Sequence, residues 1–255
     1  MQEKNKEIMD SINYAQRIQQ ALLPDEQEFR LHFPESFVLF KPKDVVSGDY
    51  FWITEKNGYI FYATADCTGH GVPGGFMSML GSSFLNELVN EKEIMQPADI
   101  LNALRERVMS ALRQTGSVGE NKDGMDIVLC RINKNKTELA YAAANNGFYL
   151  VRNGEMHEYK PDKMPIGYYT EMKPFNQHVV TLMKGDQVYT FTDGYADQFG
   201  GPKGKKFKYL ALNKLILESS TKTMSEQWEV LSSSYEEWKG AFEQTDDVCL
   251  IGIKV

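Results

Sequence analysis

Residues 59–71 read Tyr59-Ile60-Phe61-Tyr62-Ala63-Thr64-Ala65-Asp66-Cys67-Thr68-Gly69-His70-Gly71. An aromatic and apolar run ends on a single carboxylate and breaks into a glycine-rich turn, the signature of a buried strand carrying an acid at its tip. Three more segments repeat the arrangement: Ser47-Gly48-Asp49, Thr192-Asp193-Gly194 and Thr245-Asp246-Asp247. Each sits where a strand-like run meets a turn or a break in the pattern. Carboxylates at strand ends converge in space while staying distant in sequence. Without accompanying Cys/His pairs they describe a hard-cation site, suited to Mg²⁺ or Mn²⁺ rather than structural zinc. Two such ions roughly 3.5–4 Å apart stabilise both the attacking and the leaving oxygen of an in-line displacement. The residues themselves therefore point to a metal-dependent hydrolase.

Working outward, residues 37–40, 49–53 and 59–65 read as strands, with Lys56-Asn57-Gly58 turning between the last two. If that pair forms a hairpin, Asp49 and Asp66 lie at the same end of a sheet. Residues 74–90 and 98–113 read as helices, and the polar stretch 114–124 as a loop. Strands return at 127–132, 138–143, 148–151, 156–159, 177–182 and 187–192, with Asn153-Gly154 the strongest hairpin signal. Helices follow at 207–218 and 224–242, the second with Trp228, Leu231, Tyr235, Trp238 and Phe242 on a core-facing side, before a closing strand at 248–255. Strands and helices in blocks, joined by hairpins, predict an α+β fold of antiparallel sheets covered by helices rather than a doubly wound parallel sheet.

Residues 3–23 form one predicted helix ended by Pro24, with Ile8, Ile12, Ala15, Ile18 and Leu22 on a stripe roughly 120° wide. A heptad reading puts Gln19 in the seam and spans only about two heptads, short of the usual three or four. The stripe is therefore expected to dock on its own or a neighbouring domain rather than form a coiled coil. Two units follow: a linker or regulatory helix over residues 1–24 and one domain over 25–255. The abrupt start suggests the C-terminal module of a larger protein.

With 42% hydrophobic residues the chain supports a sizeable core. Its net charge is 28 − 35 = −7, and the one basic cluster is short, which disfavours nucleic-acid binding. Cys67, Cys130 and Cys249 are too few and scattered for a disulfide framework, pointing to a reducing compartment. No stretch approaches a membrane span or a signal peptide, so no membrane contact and a cytoplasmic location are expected.

These residues resemble the SpoIIE/RsbU-type branch of the PPM, or protein phosphatase 2C-like, serine/threonine phosphatases. The matching stretches are Phe40-Lys41-Pro42-Lys43-Asp44-Val45-Val46-Ser47-Gly48-Asp49-Tyr50-Phe51, Ala65 to Gly74, Met164-Pro165-Ile166-Gly167, Phe191-Thr192-Asp193-Gly194 and Thr245-Asp246-Asp247-Val248. Ala15 to Pro24 resembles the linker helix that commonly precedes these domains. The resemblance runs from about Ser11 to Val255, with the motifs in the family's order. It implies an αββα sandwich of two mainly antiparallel sheets flanked by helices, with two Mn²⁺ or Mg²⁺ ions at one end. Carried over residue by residue, Asp49 and Asp66 hold one ion together with the Cys67 carbonyl. Asp66 bridges to a second ion held by Asp193 and Asp246, with Asp247 the rival for the last position. The resemblance further implies attack of a metal-bound hydroxide on phosphoserine or phosphothreonine of a regulatory partner, for which an anti-sigma-factor antagonist is one expectation. A homodimer is another.

Two positions depart from the family pattern. Cys67 stands where many relatives have Gly or another residue, and Ala143-Ala144-Asn145-Asn146-Gly147 stands where many have an Ala-Gly-His stretch followed by prolines. Elsewhere the plainer readings are preferred. His70 is a turn residue before it is a proton donor, Lys41 and Lys43 either attract a substrate phosphate or are solvated surface lysines, and Asp126 is a turn carboxylate before it is a further ligand. Gly200 to Lys206 lacks the spacing of a phosphate loop and reads as a flexible basic loop touching a protein substrate. No cysteine lies in a nucleophile loop, against a Cys-dependent phosphatase. The competing functions are a non-catalytic phosphoprotein-binding module of the same fold and a structural domain whose acids only hold stabilising cations.

Overall fold

The computed structural model describes residues 2–255, with side chains from Glu3 onward. Helices α1 (Gln2–Leu22) and α2 (Glu26–His32) lead into β1 (Ser36–Lys41). A hairpin of β2 (Tyr50–Lys56) and β3 (Tyr59–Cys67) is followed by α3 (Gly71–Asn86), a π-helical turn (Glu87–Glu91) and α4 (Pro97–Ala111). Then come β4 (Met125–Asn133), β5 (Glu138–Ala144), β6 (Phe148–Arg152), β7 (Glu155–Tyr159), β8 (His178–Thr181) and β9 (Gln187–Phe191). The chain closes through α5 (Gly194–Asp197), the small hairpin β10 (Phe199–Gly200) and β11 (Lys205–Lys206), α6 (Tyr209–Ser219), α7 (Met224–Lys239) and β12 (Val248–Lys254).

Ten strands build two five-stranded sheets, ordered β1-β12-β9-β6-β7 and β2-β3-β4-β5-β8, and every pairing within them is antiparallel. Residues of β3 show why the sheets stack. Phe61, Ala63, Ala65 and Cys67 pack with Leu101, Leu104 and Val108 of α4, whereas Ile60 and Tyr62 pack with Val188 and Ile251 of the opposite sheet. Successive side chains of a strand point to opposite faces, so a strand apolar throughout belongs to a sheet covered on both sides. The outer face of the other sheet packs Leu39, Tyr189, Phe191 and Leu250 against Leu212, Leu231 and Tyr235 of α6 and α7. The expected αββα sandwich is the observed fold. Asn153 and Gly154 turn β6 into β7 with φ of 51° and 79°, both in the left-handed region that a tight hairpin demands.

Three expectations need correction. The apolar stripe of α1 does not dock on its own domain: Ile8, Ile18 and Leu22 are exposed, Ile12 and Ala15 are half-buried, and among the described side chains of the helix the buried one is Gln19. A buried polar side chain needs partners, and Gln19 finds three hydrogen bonds on the domain, so a hydrogen-bonding face outcompetes the oily one. The basic stretch Gly200 to Lys206 is a paired hairpin rather than a flexible loop. The last helix stops at Lys239, where Gly240 at φ 53° ends it, and leaves Phe242 exposed. Helix α2 lies in a stretch to which the sequence reading gave no element. Asp25 caps it by accepting the N–H groups of Gln27 and Glu28 at 2.8 and 3.1 Å, and Phe29 is fully buried beneath it.

Candidate active site

The space between the sheets changes character toward one end. Apolar contacts of Tyr62 and Val188 give way to a hydroxyl pair, Thr64 Oγ1 to Thr190 Oγ1 at 2.6 Å, which joins β3 to β9 across the gap. One step further the Thr192 hydroxyl donates to Asp49 Oδ2 at 2.6 Å, again from one sheet to the other. Beyond that the inner face is acidic. Tyr50 pairs with Ala65 in the β2–β3 register, so Asp49 and Asp66 share an end. Asp66 stands directly opposite Asp126 of β4. Alternation puts Asp66 and Asp126 on the same inner face as Tyr62 and Cys130. Like charges facing each other across a ladder are destabilising, so this pairing asks for a cation or a proton.

The acids feel one another strongly. Burial, and then the Asp66 charge, hold the Asp49 carboxyl well above the usual carboxylate range. Burial pushes Asp66 up to about 8, with Asp193, Asp246 and Asp126 adding to it, and Asp49 lies close enough to share a hydrogen bond. Asp193 has a side chain open to water. Desolvation on its cluster-facing side and the charges of Asp197 and Asp246 raise it to about 6. Asp126 is raised by burial. Among the described residues no three His, Cys, Asp or Glu side chains gather closely enough to close a cage around one ion. The donors are nonetheless all oxygen and mutually repelling, a set that hard divalent cations relieve.

Asp246 and Asp247, neighbours in sequence, have different surroundings. Both oxygens of the buried Asp247 are engaged: Oδ1 accepts the Lys43 N–H at 2.7 Å and Oδ2 the Gly48 N–H at 2.8 Å. It ties the approach to β12 onto the loop that carries Asp49. Asp246 is half-buried, and its Oδ1 accepts the Asp247 N–H at 2.8 Å. The Asp49 loop is fixed from two other sides. Gly48 and Gly74 both abut the Gly69 carbonyl, and a methyl group on either would overlap that oxygen. Gln19 of α1 brackets Ser47.

Some neighbours of the acids were not singled out from sequence, or were read differently. In the sequence Thr192 is a flank of Asp193, and in the fold its hydroxyl holds Asp49. Asn145, held at φ 55°, donates from Nδ2 to Asp126 Oδ1 at 2.9 Å, and Asn146 donates to the Phe191 carbonyl. The stretch that departs from the family pattern thus braces the site from the side of β5. Asp126 sits within β4 rather than in a turn. His70 Nδ1 lies 2.7 Å from Asp44 Oδ2 at the exposed rim. Lys41 is committed to Glu236 at 2.9 Å, and Lys206 to Asp197 at 2.7 Å.

The Stage II sporulation protein E (SpoIIE) family pattern matches residues 56–255. The chain belongs to that family. Among solved structures it is similar to the SiaA-PP2C domain of Pseudomonas aeruginosa, with 30% identity over 100% of both chains and a TM-score of 0.88. The PP2C phosphatase domain of SpoIIE from Bacillus subtilis, solved with a fragment of its regulatory domain, shares 18% identity over 86% of this chain and 62% of that one, with a TM-score of 0.67. The RsbU and RsbW domains of Rv1364c from Mycobacterium tuberculosis share 17% identity over 87% and 60%, with a TM-score of 0.65. The last two likenesses speak for the fold. No curated protein matches the chain in sequence. Among the described residues no helix is long and apolar enough to cross a membrane.

Proposed function

We propose that this SpoIIE-family chain is a metal-dependent protein phosphatase that hydrolyses phosphoserine or phosphothreonine on a regulatory partner in the cytoplasm. The observation that carries this reading is the meeting of Asp49, Asp66, Asp193 and Asp246 from both sheets at one end of the sandwich, with Asp66 coupled to the other three. Asp49 and Asp66, with the Cys67 carbonyl, would hold one ion. Asp66 would reach the second, with Asp193 and Asp246. The saturation of Asp247 by two backbone amides speaks for Asp246 as the ligand, because a carboxylate committed to two N–H groups has less left to offer a cation.

Two Mg²⁺ or Mn²⁺ ions would supply Lewis acidity, charge neutralisation and a water of lowered pKa. The protein's own part is placement. Thr192 fixes the rotamer of Asp49, Asn145 fixes Asp126 beside Asp66, and Asp247 fixes the loop bearing Gly48 and Asp49. His70, held by Asp44, stands at the rim where a leaving alkoxide would need a proton. Residues 1–24 act as a linker whose exposed Ile8, Ile18 and Leu22 offer a second copy a docking face, and residues 25–255 form the catalytic domain. A phosphorylated anti-sigma-factor antagonist is the partner the family resemblance offers.

The test is Mn²⁺-dependent phosphate release from p-nitrophenyl phosphate and a phosphopeptide, with Asp66→Asn and Asp193→Asn alongside. Both substitutions should abolish turnover. Undiminished activity in both overturns the site assignment. No turnover by the unaltered chain with either metal favours a phosphoprotein-binding module.

A further inference from the structure

Beside the acid cluster a cleft of about 270 Å³ opens between β6, β9 and the start of α6. Its wall is aromatic: the Tyr149 and Phe191 rings lie 4.9 Å apart between centroids, and Phe191 and Tyr209 5.9 Å apart. Asn146, Glu158 and Lys163 also line it, the last two with opposite charges. Tyr209 keeps 39% of its surface exposed at the mouth, and Leu210 beside it 82%. Tyr149 and Phe191 belong to the core beneath α6, and Tyr209 is the ring that this cleft presents to solvent.

The cleft is continuous with the site. Phe191 lies on the face of the sheet opposite to Thr192, so the link runs round the end of β9, where Asp193 follows two residues on. On the other side Asn145, next to Asn146, holds Asp126. Burial, and then the charges of Asp193, Asp197 and Asp66, raise the Tyr209 hydroxyl, so that ring stands within the field of the acids. Two residues of extended chain span roughly 6–7 Å.

Resting on the phosphatase reading, we propose that this cleft seats an apolar side chain of the substrate, two positions from the phosphoresidue on an extended segment. Alternation in an extended peptide points residues i and i+2 the same way, so a phosphoresidue over the acids projects that neighbour toward Phe191 and Tyr209. The volume is below the roughly 300–1,000 Å³ of small-molecule sites and on the scale of one side chain. Glu158 and Lys163 bring opposite charges to a lining that also holds Asn145 and Asn146, and the apolar contact on offer is that of the Tyr149, Phe191 and Tyr209 rings. Leucine and phenylalanine match that contact, and glycine and aspartate do not.

The experiment uses fluorescein-labelled peptides bearing a non-hydrolysable phosphonate analogue of phosphoserine, bound to the full chain with Mn²⁺ and read by anisotropy. Three peptides carry Phe at −2, Phe at +2, or Gly at both. One Phe peptide should bind about tenfold tighter than the Gly peptide, the scale expected for burying most of an aromatic side chain. That preference should vanish in Tyr209→Ala and survive in Tyr209→Phe. Lys163→Trp, at an exposed position, should fill the cleft and remove the preference even if Tyr209→Ala folds poorly. Equal affinity for all three peptides, or a preference that survives both Tyr209→Ala and Lys163→Trp, overturns the proposal. Turnover of p-nitrophenyl phosphate is measured in parallel. Its absence would remove the hydrolase reading, while the anisotropy still judges the cleft.

Discussion

The Gln19 carboxamide and the Ser47 backbone form a closed pair: Oε1 accepts the Ser47 N–H at 3.1 Å, and Nε2 donates to the Ser47 carbonyl at 2.7 Å. Nε2 also donates to Ser78 Oγ on α3 at 2.8 Å. The N-terminal helix thereby grips the residue two positions before Asp49. Gln19→Ala leaves buried groups without partners, a loss of about 1–3 kcal/mol. For a chain of this size that lowers the melting temperature by several °C. Turnover should fall with it, because the Gly48–Asp49 backbone loses one of its restraints. Calorimetry and phosphate release on the same preparation check both. Removing residues 1–23 should change activity or solution mass more than fold. Unchanged activity with unchanged mass would refute a regulatory role for α1.

Asp246 and Asp247 should separate cleanly. Asp247→Asn replaces one acceptor oxygen by a donor facing either the Lys43 or the Gly48 N–H, which costs stability on the order of 1–3 kcal/mol as well as activity. Asp246→Asn should leave the melting temperature of the metal-free protein unchanged or higher, while removing Mn²⁺-dependent turnover. If Asp246→Asn is the unstable variant and Asp247→Asn the inactive but stable one, the assignment is reversed.

The pH dependence follows from the raised acids. A carboxyl whose folded pKa exceeds its unfolded value near 4 contributes its full stability below that value and loses it as pH climbs to the folded pKa. With Asp66 at about 8 and Asp193 at about 6, the metal-free protein should lose stability across pH 4 to 8 through these groups. Divalent cations compete with protons for the same oxygens, so the rise in melting temperature on adding Mn²⁺ should be larger at pH 8 than at pH 5.5. Thermal shift with chelator and with Mn²⁺ measures it, and a shift that shrinks as pH rises contradicts the picture. Asp66→Asn should raise the melting temperature in chelator at pH 7.5.

Gly74→Ala should be severe for an exchange of hydrogen for methyl. The new carbon would overlap the Gly69 carbonyl and crowd Gly48, and both neighbours are backbone that cannot swing aside. Loss of stability and loss of turnover should arrive together. Gly58→Ala, with open space around its Cβ and strained only by its φ of 78°, should cost about 1 kcal/mol and leave turnover intact.

The strands, their antiparallel pairing and the acid at each strand end were legible because alternation and turn chemistry are local. The choice between Asp246 and Asp247 was not. Strand parity places Asp247 with Cys249 and Ile251 on the inner face, and only the approach of Lys43 and Gly48 engages its oxygens. The docking face of α1 was misread for a related reason: the partners of Gln19 lie 28 and 59 residues away, and no periodicity carries that information. Asn145 looked like a defect in a family pattern until β4 and β5 set it beside Asp126. Helix α2 has seven residues, too few to show a periodic signature.

The hydroxyl contact between Thr64 and Thr190 marks a frontier across the sandwich. On one side of it oily side chains draw the sheets together; on the other, carboxylates from the two sheets repel one another and are held by the Thr192–Asp49 and Asp247–Gly48 hydrogen bonds. Close-packed sheets transmit strain, so a change of one methyl group deep in the apolar half, such as Ile251→Val, should reach the acids through that packing. It would be read at the far end as a change in the spacing of the acids, without touching any of them.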